Sequence, residues 1–170
     1  YIAMLDWALD QDKHPVYIAI PSGPVVHAEG PVRTNFDDLN TYEVTRQGSK
    51  VAVLALGDFY DLGEKTVEAL SSTLGIEATL VKPYFASGID QNLLDNLVKD
   101  HDVIVTIEDG IIEGGWGQNI ASYLGTSSAR MLNYGVKKAF YDRVNIADLM
   151  RESHLEPELI AADVKQVLGL

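Results

Sequence analysis

Residues 103–117 read VIVTIEDGIIEGGWG, and this stretch decides the fold. Val103 to Ile107 form a short apolar run with no wet face. A central strand covered by helices on both sides requires that pattern. The chain then passes through Glu108-Asp109-Gly110 and Glu113-Gly114-Gly115-Trp116-Gly117 into a helix predicted from about Gln118 to Leu124. A buried strand, a glycine-rich turn and a helix in succession are the local unit of an α/β sheet.

The same unit recurs on either side. Val51 to Leu56 is again apolar on both faces, and a helix from about Leu62 to Leu74 follows, with Leu62, Thr66, Leu70 and Leu74 at helical spacing and Gly75 as its stop. Ala78 to Val81 reads as the next strand. Asp90 caps a helix whose apolar stripe is Leu93, Leu94, Leu97 and Val98. Ala129 to Leu132 reads as the last strand, and two short helices follow Asn145 and Pro157. Upstream, Thr41 to Gln47 alternates polar and apolar residues, placing Tyr42 and Val44 inward. The Gly48-Ser49 turn is too short for a crossover, so this strand should run antiparallel to its neighbour. The expected architecture is a three-layer α/β/α domain around a five-stranded mixed, mostly parallel sheet with one antiparallel strand. At the start of the chain, Ile2 to Gln11 reads as a helix with Ile2, Leu5 and Leu9 on one face, and Val16 to Ile20 as a strand. The stretch from Val25 to Asn40 holds no sustained period and reads as a linker.

Composition narrows the function. The 170 residues carry 25 acidic against 13 basic side chains, a formal charge of −12. A polyanion repels such a surface, so nucleic acid is not an expected partner. Lys137-Lys138 with Arg143 is the densest positive stretch, and Asp142 interrupts it. The sequence has no cysteine, which excludes disulfides, thiol nucleophiles and cysteine metal sites. No apolar run approaches the roughly 20 residues of a spanning helix. No membrane partner is therefore expected, and a cytoplasmic location is the default. The sequence opens at Tyr1, inside the first predicted helix, and so reads as a fragment.

The loop after Ile107 is the one candidate for chemistry. Glycines at a helix start let backbone N–H groups approach an anion, which makes Gly114, Gly115 and Gly117 a possible anion or ligand loop. Against that reading, Ile120 stands where a dinucleotide fingerprint needs its third glycine, and Glu108, Asp109 and Glu113 repel an anion. The alternative is a tight turn that permits close helix–strand packing. His14, His27, His101 and His154 have no metal-sharing spacing and read as solvated residues of loops or helix ends. Neither a nucleophile elbow nor a metal motif occurs, so no catalytic residue and no metal ligand is expected in the chain.

Residues 103–117 resemble the strand and "E-(E/D)-x-x-x-x-G-G-x-G" segment in the C-terminal domain of transketolase-like thiamine diphosphate enzymes. Val51 to Gly57 resembles that domain's opening strand, and Val81-Lys82-Pro83 its "V-K-P" segment. The tail from Leu132-Asn133-Tyr134-Gly135 through Phe140, His154-Leu155 and Pro157 to Ile160 is similar to the ending of the 1-deoxy-D-xylulose-5-phosphate synthase branch, with His154 where glycine is usual.

The resemblance implies that residues 1–27 are the last helix and strand of a preceding pyrimidine-binding domain, 28–40 a linker and 41–170 the C-terminal domain. It further implies a transferase parent, a homodimer with thiamine diphosphate and magnesium held by upstream domains of the same chain, and none bound by this fragment. The family's "R-x-P-R-G" pattern places arginines near the acceptor's phosphate, where a guanidinium fork suits a phosphate. Here Ala19 and Ser22 occupy those positions, leaving Ser22 as the one residue implied to bind substrate.

Overall fold

The computed structural model describes residues 1–20 and 31–170. The chain divides into two compact units, Tyr1–Leu39 and Asn40–Leu170.

In the first unit, α1 (Ile2–Asp10) buries Trp7 rather than the expected Ile2–Leu5–Leu9 face. Ile2 and Leu9 are mostly exposed. The Trp7 indole N–H donates to the Asp37 carboxylate at 2.9 Å, and Phe36 meets the indole edge-on at 5.9 Å between centroids. The Trp7 bond holds the Asp37 carboxyl below its ordinary range. Residues 16–20 form no strand, contrary to the reading of Val16–Ile20. A strand is stabilised by a neighbour's ladder, and the described part of this unit contains no other strand.

The second unit has the expected architecture. Its strands are β1 (Glu43–Arg46), β2 (Lys50–Ala55), β3 (Thr79–Lys82), β4 (His101–Ile111) and β5 (Arg130–Val136), in the order β1-β3-β2-β4-β5. The pairs β3–β2, β2–β4 and β4–β5 are parallel, and β1 is antiparallel to β3. Alternation along the strands sorts two cores. Val51, Val53, Val103, Val105 and Ile107 face α2 (Tyr60–Leu74) and α6 (Pro157–Leu168). Ala52, Leu54, Val81 and Ile104 face α3 (Gln91–Asp100) and α4 (Trp116–Tyr123). The short α5 (Ile146–Glu152) has no buried residue. Gly75 closes α2 in the left-handed conformation, and Asp90 caps α3 by accepting the Leu93 N–H at 2.9 Å.

Three sequence expectations need correction here. The turn at Gly48-Ser49 does not fold β1 back onto β2. The β1 strand lies beyond β3, so the chain crosses the start of that strand, with Gly48 N–H donating to the Thr79 hydroxyl at 3.0 Å and Ser49 N–H to the Glu77 carbonyl at 2.9 Å. A Cβ on Gly48 would lie 2.1 Å from that carbonyl oxygen, and Lys50 leaves the crossing with φ of 67°. Turn length fixed the strand's direction but not which strand lay beside it. Val44 is exposed rather than inward, because β1 is an edge and only Tyr42, just before it, reaches the core. His101 is no solvated cap. It is buried at the start of β4, its ring nitrogens 2.8 Å from the Thr79 hydroxyl and 2.8 Å from the Leu97 carbonyl.

Candidate functional site

The β4 strand is longer than its apolar run, continuing through Glu108-Asp109-Gly110 to Ile111. Because side chains alternate, Ile104, Thr106 and Glu108 point to the α4 side of the sheet. That parity carries the Glu108 carboxylate under the start of α4. One of its oxygens accepts the Trp116 N–H at 2.9 Å and the other the Gly117 N–H at 2.8 Å. Glu108 is buried, so its charge is held by two amides and the positive end of the helix.

The glycines explain how a carboxylate fits there. A Cβ on Gly115 would lie 2.5 Å from the Ile111 carbonyl and 2.7 Å from a Glu108 oxygen; one on Gly117 would lie 2.3 Å from the Thr106 hydroxyl. Gly114 takes a φ of 81°, as the turn needs. Two further amides of the turn are also engaged. Gly114 N–H donates to the Gln118 side chain at 2.5 Å and Gly115 N–H to the Ile112 carbonyl at 3.0 Å. The structure thus packs Gly115 and Gly117 against one anion, which is the chain's own carboxylate, while Gly114 serves the turn. The Glu113 carboxylate accepts the Lys138 N–H at 2.9 Å and ties the loop to the segment after β5.

Trp116 extends this site across the α3/α4 side. Its indole N–H donates to the Tyr42 hydroxyl at 2.9 Å, which donates in turn to the Gly88 carbonyl at 3.0 Å. Burial pushes the Tyr42 phenol up to about 12, so it stays a neutral donor.

The carboxyl end of the sheet around this turn is mostly acidic. Burial and then the nearby Asp58 carboxylate raise the Asp109 carboxyl above its ordinary value. On the β3 side, the Lys82 ammonium lies 4.9 Å from the Tyr60 ring centre and 5.8 Å from that of Tyr84. Tyr84 donates to Glu43 and Tyr60 to Thr45.

A thiamine diphosphate–magnesium group does not fit these residues. Its diphosphate needs free amides or cations and its metal a set of converging oxygens. Here the amides of Gly114, Gly115, Trp116 and Gly117 are engaged internally, and the described residues hold no cluster of three or more carboxylate or histidine side chains able to bind a metal.

Ser22 and His27 lie outside the described residues. Ala19, the other position where the resembled pattern has arginine, is exposed in a segment without regular secondary structure. His14 is exposed in the turn after α1. His154 takes φ of 55°, which accounts for glycine being usual at that position, and its ring nitrogen lies 2.7 Å from the Asp163 carboxylate. Asp163 also accepts the hydroxyl of buried Tyr134 at 3.0 Å, and burial followed by that carboxylate pushes the phenol up. Sequence reading missed this cluster, although an unexpected histidine at a glycine position was its signal.

A sheet with an antiparallel edge strand, its fourth strand running into a carboxylate that caps the next helix, defines a doubly wound α/β domain. Residues 40–160 match the transketolase C-terminal domain, and the chain belongs to that family. It is 35% identical over 161 residues to a 1-deoxy-D-xylulose-5-phosphate synthase of Pseudoalteromonas translucida, a match covering 94% of this chain and 25% of the relative. A synthase of the same name from Clostridium tetani is 28% identical over 167 residues, covering 97% and 26% respectively. The chain therefore spans about a quarter of these relatives' length. Among solved structures, an inactive β4 tetramer of a split-gene transketolase superposes with a TM-score of 0.64 at 26% identity, over 76% of this chain and 43% of that one. A Pichia stipitis transketolase variant shares the fold, with a TM-score of 0.51 at 16% identity over 75% of this chain and 18% of its own.

Proposed function

We propose that this chain is the C-terminal part of a thiamine diphosphate-dependent transferase of the 1-deoxy-D-xylulose-5-phosphate synthase type. The parent would join pyruvate, after decarboxylation, to glyceraldehyde 3-phosphate, a step supplying isoprenoid biosynthesis. The observation that carries this reading is the reach of the 35%-identical match over 94% of the chain, so that it extends past the family's own span of 40–160. On this reading residues 1–27 end a pyrimidine-binding domain, 28–40 link, and 41–170 form the C-terminal domain. Thiamine diphosphate and magnesium belong to upstream domains of the same chain, paired as a cytoplasmic homodimer. This domain's own part is structural: it walls the substrate mouth with an acidic, self-capped loop.

Titrating the 170-residue chain with thiamine diphosphate and magnesium in a calorimeter should give no saturable heat. The longer protein containing it should consume pyruvate with glyceraldehyde 3-phosphate. A micromolar signal from the chain alone would put the cofactor site here and overturn the assignment. Acceptor choice rests on Ser22. It offers one neutral hydroxyl where the family's arginine offers two charge-assisted bonds, so Ser22→Arg in the longer protein should raise selectivity for the phosphorylated over the unphosphorylated aldehyde by about tenfold or more. If Ser22→Ala abolishes that selectivity, the hydroxyl is itself a principal phosphate ligand.

A transketolase or a 2-oxoacid dehydrogenase E1 beta subunit with a different acceptor is the second reading, favoured by the two missing arginines. Retained turnover of pyruvate without use of glyceraldehyde 3-phosphate would select it.

A further inference from the structure

We infer that residues 137–144 form a strap that switches between a latched and a released position, with the Glu113 carboxylate as its latch. Both ends of the strap are anchored. It leaves the sheet after Val136, whose carbonyl accepts the Ile112 N–H at 2.9 Å. It ends at Asn145, whose side chain accepts the Ala147 N–H at 2.9 Å and caps α5. Between these points every residue is exposed. Phe140 is fully exposed, and Tyr141 and Val144 are more than one-third exposed, so no buried apolar side chain holds the strap down.

Among the described residues, the strap makes no ion pair and one hydrogen bond to the rest of the domain. That bond runs from the Lys138 N–H to the Glu113 carboxylate at 2.9 Å. The other, from the Tyr141 hydroxyl to the Lys137 carbonyl at 2.8 Å, lies within the strap. Ordering each residue's backbone costs conformational entropy, which burial normally offsets. Here one charge-assisted bond stands against the ordering of the whole strap, so the latched position lasts only while that bond does. Arg143 adds to the imbalance with a φ of 50°, a left-handed position that is costly for a residue with a side chain. Such a segment opens locally, leaving the sheet beside it intact. The latch lies in the turn before α4, where Gly114, the next residue, bonds the Gln118 side chain. Latching thus ties the chain after β5 to the start of α4, and release uncouples the two.

Amide hydrogen exchange, followed residue by residue by NMR on the full 170-residue chain, tests the inference. The strap amides should exchange about a hundredfold faster or more than those of Val105 and Leu132 in the adjacent strands, with Lys138 the slowest of the strap. Glu113→Ala should speed Lys138 exchange by about tenfold or more, the loss of one charge-assisted bond. Glu113→Gln keeps an acceptor oxygen and should speed it clearly less. Val105 and Leu132 should stay protected in both variants, which separates release of the strap from loss of the fold. Trypsin gives an independent reading, since Lys137, Lys138 and Arg143 all lie in the strap. It should cut the folded second unit there first, and several-fold faster in Glu113→Ala, because cleavage of a locally opened segment follows its open population. Strap amides as slow as that of Leu132, Lys138 exchange unchanged by Glu113→Ala, or a strap that trypsin leaves intact would each overturn the inference.

Discussion

The Glu108 carboxylate accepts the Gly117 N–H at 2.8 Å across nine residues of chain, so the last polar residue of β4's buried course is also the cap of the next helix. The same two-atom group binds the Trp116 N–H, and neither amide has another acceptor at the helix start. Glu108→Ala would leave both donors buried and unpaired, at a cost of about 3 kcal/mol, a large share of a domain's stability. Glu108→Gln keeps one acceptor and should cost roughly half as much. Guanidinium unfolding of the three proteins checks the order; equal midpoints would mean that water replaces the carboxylate.

Gly48 and Gly75 test two different demands for glycine. Gly48 sits at the crossing under β3, where a methyl would lie 2.1 Å from the Glu77 carbonyl oxygen. Gly48→Ala should therefore cost about 2–3 kcal/mol or more, through displaced backbone. Gly75 has open space around its Cβ position but φ of 66°. Gly75→Ala should cost only about 1 kcal/mol, the left-handed penalty alone. Urea midpoints would separate them, and a milder Gly48 variant would show that the crossing can move.

These sites mark how far the sequence could be read. Val51–Leu56 and Val103–Ile107 are apolar on both faces, and that property belongs to the residues themselves, so a central parallel sheet was legible. The place of β1 was not. Direction follows from the length of the Gln47-Gly48-Ser49 turn, but the neighbour depends on β3 arriving later between β1 and β2. The same limit applies to His101. Its burial comes from Thr79 and the Leu97 carbonyl, which are distant from each other in sequence and meet only in the fold. At the candidate site, the glycines and the repelling carboxylates were both visible. Side-chain parity along an extended β4 was the missing step, because the strand was expected to stop at Ile107 and Glu108 to lie in a loop. In the first unit, α1 was found but its inward face was not, since Trp7 answers to Asp37 and Phe36 rather than to the periodicity of the leucines.

His154 holds φ of 55° between α5 and α6 while bonding Asp163 at 2.7 Å. The two effects oppose each other: the backbone is strained by about 1–2 kcal/mol and the hydrogen bond returns about 1. His154→Ala keeps the strain and loses the bond, so it should destabilise by about 1 kcal/mol. His154→Gly loses the bond but releases the strain, and should be close to neutral. Thermal melts of both variants beside the parent chain give the difference. A glycine variant as unstable as the alanine one would show that the left-handed turn carries no strain here.

Asp109 gives the chain a pH signature whose sign is fixed by its surroundings. Burial, then the Asp58 carboxylate, raise its carboxyl above the ordinary 3.8, so folding favours the protonated form. Its contribution to stability is therefore full below the unfolded value and is lost as pH rises through the higher folded value. At pH 7 the ionised group is a net cost. Asp109→Asn removes that cost and should stabilise the chain, with the advantage shrinking as pH falls toward about 4 and absent below it. The side chain is largely exposed, so solvent screens the effect to about half a kcal/mol or less. Asp58→Asn should act in the same direction by relieving one of the two causes, and adding it to the Asp109 variant should yield less than the sum, because the two carboxylates share one repulsion. Unfolding midpoints taken from pH 3 to pH 8 provide the comparison. A constant gap across that range would assign the effect to packing, and a destabilised Asp109→Asn chain at pH 7 would mean that the carboxylate has a favourable partner at this end of the sheet.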